Sequence, residues 1–321
     1  MVREQREVEP GDAMTVEELN QSAADGTIDE VIRVAEARQV KALSKIADTI
    51  CGRSDVRLVL VSGGSAAGKT TTAKRLCTQL RVDDRTALHL STDDYFVGDA
   101  RNPRDADGNL DYEHVDCVDI EPLARDLNAL FRGETIERRT FDFVNHCPAQ
   151  GGGFLSLPPR GVVVLEGIHA LNPRISDRVD EAAGFKVFVD PQPSLDLFAG
   201  LKPSAADSRF LRRLVRDNQF RKLSPAVTLK LWPKVLEGER KWIEPFRGCA
   251  DAVFDSYLVY EVAVLKPYAG GLLARARLEL GDDPQVMNMI RLLSAVDAVS
   301  PNAVPGDSIL RETIGGSQLE Y

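Results

Sequence analysis

Gly63-Gly64-Ser65-Ala66-Ala67-Gly68-Lys69-Thr70 stands between an apolar run, Arg57–Ser62 (RLVLVS), and a stretch with Ala73, Leu76, Cys77 and Leu80 on one helical face. The octapeptide fits G-x-x-x-x-G-K-[ST] without a mismatch, and a strand before it with a helix after it is the setting that pattern requires. Glycines let the backbone curl so that successive N–H groups point at phosphate oxygens. The helix N-terminus adds partial positive charge. Gly63 to Thr70, with Thr71 behind them, are therefore expected to bind a nucleoside triphosphate, with ATP taken as the cofactor. Lys69 would reach the β/γ-phosphates and the Thr70 hydroxyl would ligate Mg²⁺. No N-K-x-D guanine-reading motif follows, which argues against a GTPase.

The strand pattern around this loop predicts the fold. Thr86–Leu90, Gly161–Leu165 and Phe185–Val189 are short, nearly continuous apolar runs, the kind buried on both faces of a parallel sheet. Helical stretches separate them, so βαβ units and a doubly wound, mostly parallel α/β sheet are expected. Thr140–Asn145, the glycine run 151–153 and Pro158-Pro159 read as a β-hairpin excursion. Residues 1–27 read as a flexible leader and 28–52 as an N-terminal helix packing on the core, with Gly52 at its C-cap. Residues 53–269 read as the principal domain, with 98–160 as an acceptor-binding region and 208–222 as a lid, and 270–321 as a largely helical extension.

Three features refine the chemistry. Ser91-Thr92-Asp93-Asp94-Tyr95-Phe96 follows a strand, so one of its aspartates would face the γ-phosphate at the sheet's C-terminal edge. A carboxylate there can accept the proton of an attacking hydroxyl or hold Mg²⁺ through water. Val162–Gly167 ends an apolar strand in Glu166, a Walker-B layout that would place Glu166 on Mg²⁺ beside Thr70. Arg209, Arg212, Arg213 and Arg216 recur at helical spacing with Arg221 beyond, and arginine suits phosphate by its planar fork. This basic helix reads as a lid over the transferring group. His89 reads as a core residue, His114 as a turn residue, and Trp232 and Trp242 as packing residues.

Composition narrows the class further. The 321 residues carry 40 Lys+Arg against 49 Asp+Glu, a formal net charge of −9. That balance argues against a chain that coats nucleic acid or an anionic membrane. The opening residues lack a secretory h-region and no run of about 18 apolar residues occurs. Five scattered cysteines without a C-x-x-C pair suggest neither disulfides nor zinc. A cytoplasmic protein with no nucleic-acid or membrane partner is expected, and a homo-oligomer is left open.

In order along the chain, SGGSAAGKTT (62–71), STDDYF (91–96), LDYEHVDCVD (110–119), RTFDFVNH (139–146), VVLEGIHAL (163–171) and RRLVRD…R (212–221) resemble the uridine kinase/phosphoribulokinase family of P-loop kinases. KIADTI (45–50), ADAVFDSYLVYEVAVLKPYA (250–269) and VPGDSILRETIGGS (304–317) are similar to a longer bacterial, uridine kinase-like branch. The resemblance implies an ATP- and Mg²⁺-dependent kinase that phosphorylates the 5′-hydroxyl of uridine or cytidine, as in pyrimidine salvage. It implies Asp93 as catalytic base, with Lys69, Arg216 and Arg221 acting on the phosphates. Glu113 matches a carboxylate on the ribose hydroxyls, and Tyr112 an aromatic against the base. Phe143 and His146 match hairpin residues over the pyrimidine, and Arg213 an arginine on the nucleoside side. Phe141 stands where the uridine-cytidine kinases carry a base-binding Tyr. Two other readings stay open: the same transfer to another alcohol (a different nucleoside, a sugar or a pantothenate-like acceptor), and a non-catalytic nucleotide switch.

Overall fold

The computed structural model describes residues 14–143, 145–149, 151–179, 183–197 and 202–320. In chain order these form β1 (Met14–Thr15), α1 (Val16–Ala24), α2 (Ile28–Cys51), β2 (Val56–Ser62), α3 (Lys69–Val82), β3 (Ala87–Ser91) and α4 (Ile120–Phe131). There follow β4 (Ile136–Glu137), β5 (Thr140–Asp142), β6 (Cys147–Ala149), β7 (Phe154–Leu155), β8 (Val162–Glu166), α5 (Pro173–Ser176), β9 (Ala183–Asp190) and β10 (Leu195–Asp196). The last part holds α6 (Ala205–Phe220), α7 (Pro225–Trp242), β11 (Ala252–Asp255), α8 (Glu261–Leu280), α9 (Pro284–Ala295) and α10 (Arg311–Ile314).

Five strands build one sheet in the order β11-β9-β2-β8-β3, with every neighbouring pair parallel. Side chains alternate across it, so each strand feeds two cores. Leu58, Leu60, Val163 and Leu165 pack with α4, while Val59, Val61, Val162 and Val164 pack with α2 and α3. Each such buried aliphatic side chain is worth about 1.5–3 kcal/mol, which explains why near-continuous apolar runs mark these strands. His89 lies in β3, where burial pushes its imidazole down to about 3 and keeps it neutral.

A third core is largely helical and draws on α1, α2, α6, α7, α8, α9 and α10, with Leu195 of β10. It reaches into residues expected to be a loose leader, and that expectation does not hold for residues 14–24. Thr15 and Glu18 close a capping box on α1, β1 pairs with β10, and Val16 and Leu19 are fully buried. Residues 1–13 lie outside the described ones. β11 is a second departure, a fourth parallel neighbour inside a stretch that reads as helical. Four residues pairing with β9 at the sheet edge are too short to show a period. No helix among the described residues is long and apolar enough to cross a membrane.

Candidate active site

Register brings the motif-bearing segments together. Glu166 at the end of β8 lies opposite Val61 of β2 on one side and Ser91 of β3 on the other. The loop after β2, the carboxylate ending β8 and the turn after β3 therefore share one edge of the sheet. That edge is the C-terminal one, where ligands gather in open α/β sheets.

The loop after β2 curls as its composition requires, with Ala66 at φ 59° and Gly68 at φ 90° before α3 begins at Lys69. Lys69 Nζ donates to Gly64 O at 2.9 Å. Burial pushes this ammonium down, while Glu166, Asp93 and Glu312 push it back up. Thr70 Oγ1 donates to Glu166 Oε1 at 3.1 Å. Ser65 is held on two sides: its N–H donates to Glu239 Oε1 at 2.8 Å and its Oγ accepts from Arg213 Nη1 at 2.7 Å.

Asp93 and Asp94 diverge in the turn Thr92–Tyr95. Burial raises the Asp93 carboxyl, and Lys69, Arg221 and Arg216 oppose that rise. Asp94, pushed to about 6 by burial, faces Arg138 and Lys74 instead. Glu166 is raised by burial and by Asp93, with Lys69 opposing. Two carboxylates and an ammonium thus share a poorly solvated space, the condition under which their proton affinities couple.

The arginines of α6 do not all face this space. Arg212 is fully buried, pairs with Glu261 and donates to Ser256 O at 2.8 Å. Arg209 is fixed to Glu239 at 2.5 and 2.8 Å. Both are internal ties rather than parts of a basic face, and the same helix buries Phe210, Leu211, Leu214 and Val215. Arg213, Arg216 and Arg221 remain, gathered around buried Asp217 at 3.2, 3.6 and 3.6 Å. Their mutual repulsion is large enough that Arg216, ahead of burial, pushes Arg221 down to about 10. Three guanidinium groups around one carboxylate leave an excess of positive charge for an anionic ligand.

Beside them the hairpin β5–β6 folds over the opening. Phe96, Phe141 and Phe143 meet edge to face at centroid distances of 5.2–6.4 Å, and Arg221 lies 5.7 Å over the Phe143 ring. Tyr112 and His146 form a separate outer pair 5.6 Å apart, with the Tyr112 hydroxyl donating to Asp99 at 2.8 Å. Glu113 sits further in. Burial pushes its carboxyl up to about 7 against the pull of Arg213. It packs so closely on α7 that a Cβ on Gly238 would lie 2.2 Å from its own Cβ. Buried His169, kept neutral near 4 by burial, backs this loop at Glu113 and His114. His114 Nδ1 accepts from Asp116 N–H at 3.1 Å, as a turn residue does. Trp232 packs at a tilt against Phe210 and Trp242 edge-on against His114.

Four carboxylates that organise the site were given no role from the sequence, although all but Glu239 lie inside segments that carry the family likeness: Asp217, Glu239, Glu261 and Glu312. Each meets its arginine through the tertiary fold or by helical spacing that many surface acids share. A hint was available in α6, where leucines and arginines interleave so tightly that some arginines must be buried.

A phosphate loop opening a helix, an acidic strand end beside it and a second acidic turn one strand away define a P-loop phosphotransferase, an enzyme of ATP-dependent phosphoryl transfer. Residues 58–263 match the family model described as Phosphoribulokinase / Uridine kinase family, and the chain belongs to that family. It is similar to the uridine kinase of Deinococcus deserti, 32% identical over 195 residues covering 60% of this chain and 84% of that relative. The uridine kinase of Leuconostoc citreum is 30% identical over 157 residues, 49% of this chain and 66% of that protein. A solved structure titled a possible uridine kinase from Bacillus stearothermophilus aligns with TM-score 0.47 at 20% identity, covering 68% of this chain and 98% of that one.

Proposed function

We propose that this kinase transfers the γ-phosphoryl of ATP to the 5′-hydroxyl of a pyrimidine nucleoside, uridine or cytidine. The observation that carries the reading is Arg221, which lies over the Phe143 ring and also acts on Asp93. One side chain thus joins the Phe96–Phe141–Phe143 aromatic cluster to the carboxylate beside the phosphate loop. The relatives named uridine kinase support the same acceptor class.

In this reading Asp93 accepts the hydroxyl proton as the oxygen attacks, and its raised proton affinity brings it nearer the operating pH of a general base. Lys69, Arg216 and Arg221 neutralise charge on the transferring group. Glu113 and Arg213 hold the ribose side, and Phe141, Phe143, Tyr112 and His146 surround the base. The donor set suits Mg²⁺: the Thr70 hydroxyl and the Glu166 carboxylate are hard oxygen donors 3.1 Å apart, with Asp93 close by. The described residues hold no cluster of three or more His, Cys, Asp or Glu able to hold a metal by themselves. Such an ion would therefore share its coordination with the phosphates, where it would screen their charge.

The test is ADP release with ATP·Mg²⁺ across nucleosides, sugars and pantothenate, with Asp93→Asn as blank. Turnover with uridine or cytidine that vanishes in the variant is expected. Turnover only with another alcohol overturns the acceptor, and ATP binding with no turnover on any of them overturns the reaction.

A further inference from the structure

The stretch Ser308–Thr313 lies outside the residues matched by the family model, yet it forms a wall of the phosphate site. Leu310 and Ile314 anchor it in the helical core. Arg311 spends its donors on the carbonyls of Pro301, Val304, Pro305 and Gly315 at 2.5–3.4 Å, so the chain is wound around one guanidinium. Ile309 is buried, and its Cγ2 lies 2.7 Å from where a Cβ on Gly68 would stand. Only a glycine at 68 admits this contact together with a φ of 90°.

This rigid support presents Glu312. Its Oε2 accepts from Thr71 Oγ1 at 3.2 Å, and its Oε1 lies 3.4 Å from Arg216 Nη1. One carboxylate therefore touches the helix that follows the phosphate loop and the helix that carries the site's arginines. Both members of the Glu312–Arg216 pair are largely withdrawn from solvent, with side-chain exposures of 19% and 13%. Asp217, 3.6 Å away on the same helix, holds Arg216 from one side, and Glu312 adds a tie from the phosphate-loop side; transfer chemistry rewards a cation already in place.

We propose that Glu312 is a positioning residue that holds Arg216 against the phosphate loop for phosphoryl transfer, an inference that rests on Arg216 acting on the phosphates as read above. Glu312 acts through Arg216 and touches neither the acceptor nor the transferring group.

The experiment is a double-mutant cycle on the full chain: wild type, E312Q, R216Q and the double variant. ADP release gives kcat, and titration with Mg²⁺·AMP-PNP gives nucleotide affinity. E312Q is expected to lower kcat on the order of tenfold to a hundredfold, with AMP-PNP affinity within about threefold of wild type. In the R216Q background the same substitution is expected to cost nothing further. Equal losses in both backgrounds, an R216Q protein as fast as wild type, or an E312Q protein with wild-type kcat each overturn the inference. If E312Q does not fold, E312D runs the same cycle, again with non-additivity expected. A wild-type protein that binds AMP-PNP and turns over but ignores Glu312 sinks the inference alone. One that binds no nucleotide sinks the functional reading with it.

Discussion

Glu239 ties the phosphate loop to the helical core, and removing its charge has a calculable consequence. It is withdrawn from solvent with Arg209, at side-chain exposures of 5% and 9%, and it also accepts the Ser65 N–H at 2.8 Å. Glu239→Gln leaves Arg209 buried without a counter-charge, a defect that costs about 3–5 kcal/mol. With an unfolding entropy of about 2.1 cal/mol/K per residue, the chain has about 0.7 kcal/mol/K at its melting point. The expected fall in Tm is therefore about 4–7 °C by calorimetry. Replacing both partners with apolar side chains, Arg209→Met with Glu239→Leu, removes the unpaired charge and should recover most of that fall. Loop geometry should still suffer in the double variant, where Ser65 N–H loses its acceptor and nucleotide affinity falls, whereas glutamine at 239 keeps a carbonyl oxygen that can accept it. A Glu239→Gln protein that melts within 1 °C of wild type (about 0.7 kcal/mol), or a double variant no more stable than the single one, refutes the reasoning.

Further outcomes are open to measurement. Asp93→Asn should lower kcat by about 10²–10⁴ while AMP-PNP binds as before; a variant that keeps its rate removes Asp93 as base. Because Glu113 titrates near 7, its ionised fraction rises from about a tenth at pH 6 to about nine tenths at pH 8. Uridine affinity followed by calorimetry should therefore rise about tenfold over that range in wild type and stay flat in Glu113→Gln. A flat wild-type profile contradicts the assignment. Gly238→Ala forces a methyl group into the Glu113 side chain, an overpacking cost of about 1–3 kcal/mol. It should raise the acceptor KM and leave the ATP KM in place; equal rises in both would place the damage elsewhere.

The phosphate loop, four of the five sheet strands and the helices α2, α3 and α4 were legible because their signals are local. A glycine-rich turn of fixed spacing, apolar runs and a 3.6-residue period are each contained in a single window. Glu166 and the Asp93–Asp94 pair were placed at the sheet edge for the same reason, since a strand end fixes where its next side chains stand, while the choice of Asp93 over Asp94 came from the family likeness. The residues proposed for the acceptor side were named only through likeness to a family, because Tyr112, Glu113, Phe141 and Phe143 have no spacing that implies a pocket. The rest was hidden by distance along the chain. Arg209 and Glu239 are 30 residues apart and Arg212 and Glu261 are 49, so no single window of the sequence shows either pair. The basic helix misled for a related reason: its period was right, but burial of Phe210, Leu211, Leu214 and Val215 turns two of its arginines inward.

Thr71 and Glu312 are 241 residues apart. On a ribosome adding about 5–20 residues per second, roughly 10–50 s pass between the synthesis of one and the other. The other four strands of the sheet, Asp93, Glu166 and the arginines of α6 are made within that interval, β2 having preceded Thr71. Gly68 still lacks Ile309, and Arg216 still lacks Glu312. A growing chain can thus hold a finished sheet and an unfinished phosphate site, with the apolar surface that will receive Leu310 and Ile314 open to chaperones and to neighbouring chains. Synthesis interrupted before residue 308 would yield a polypeptide that carries the whole phosphate-loop signature without the wall that shapes it.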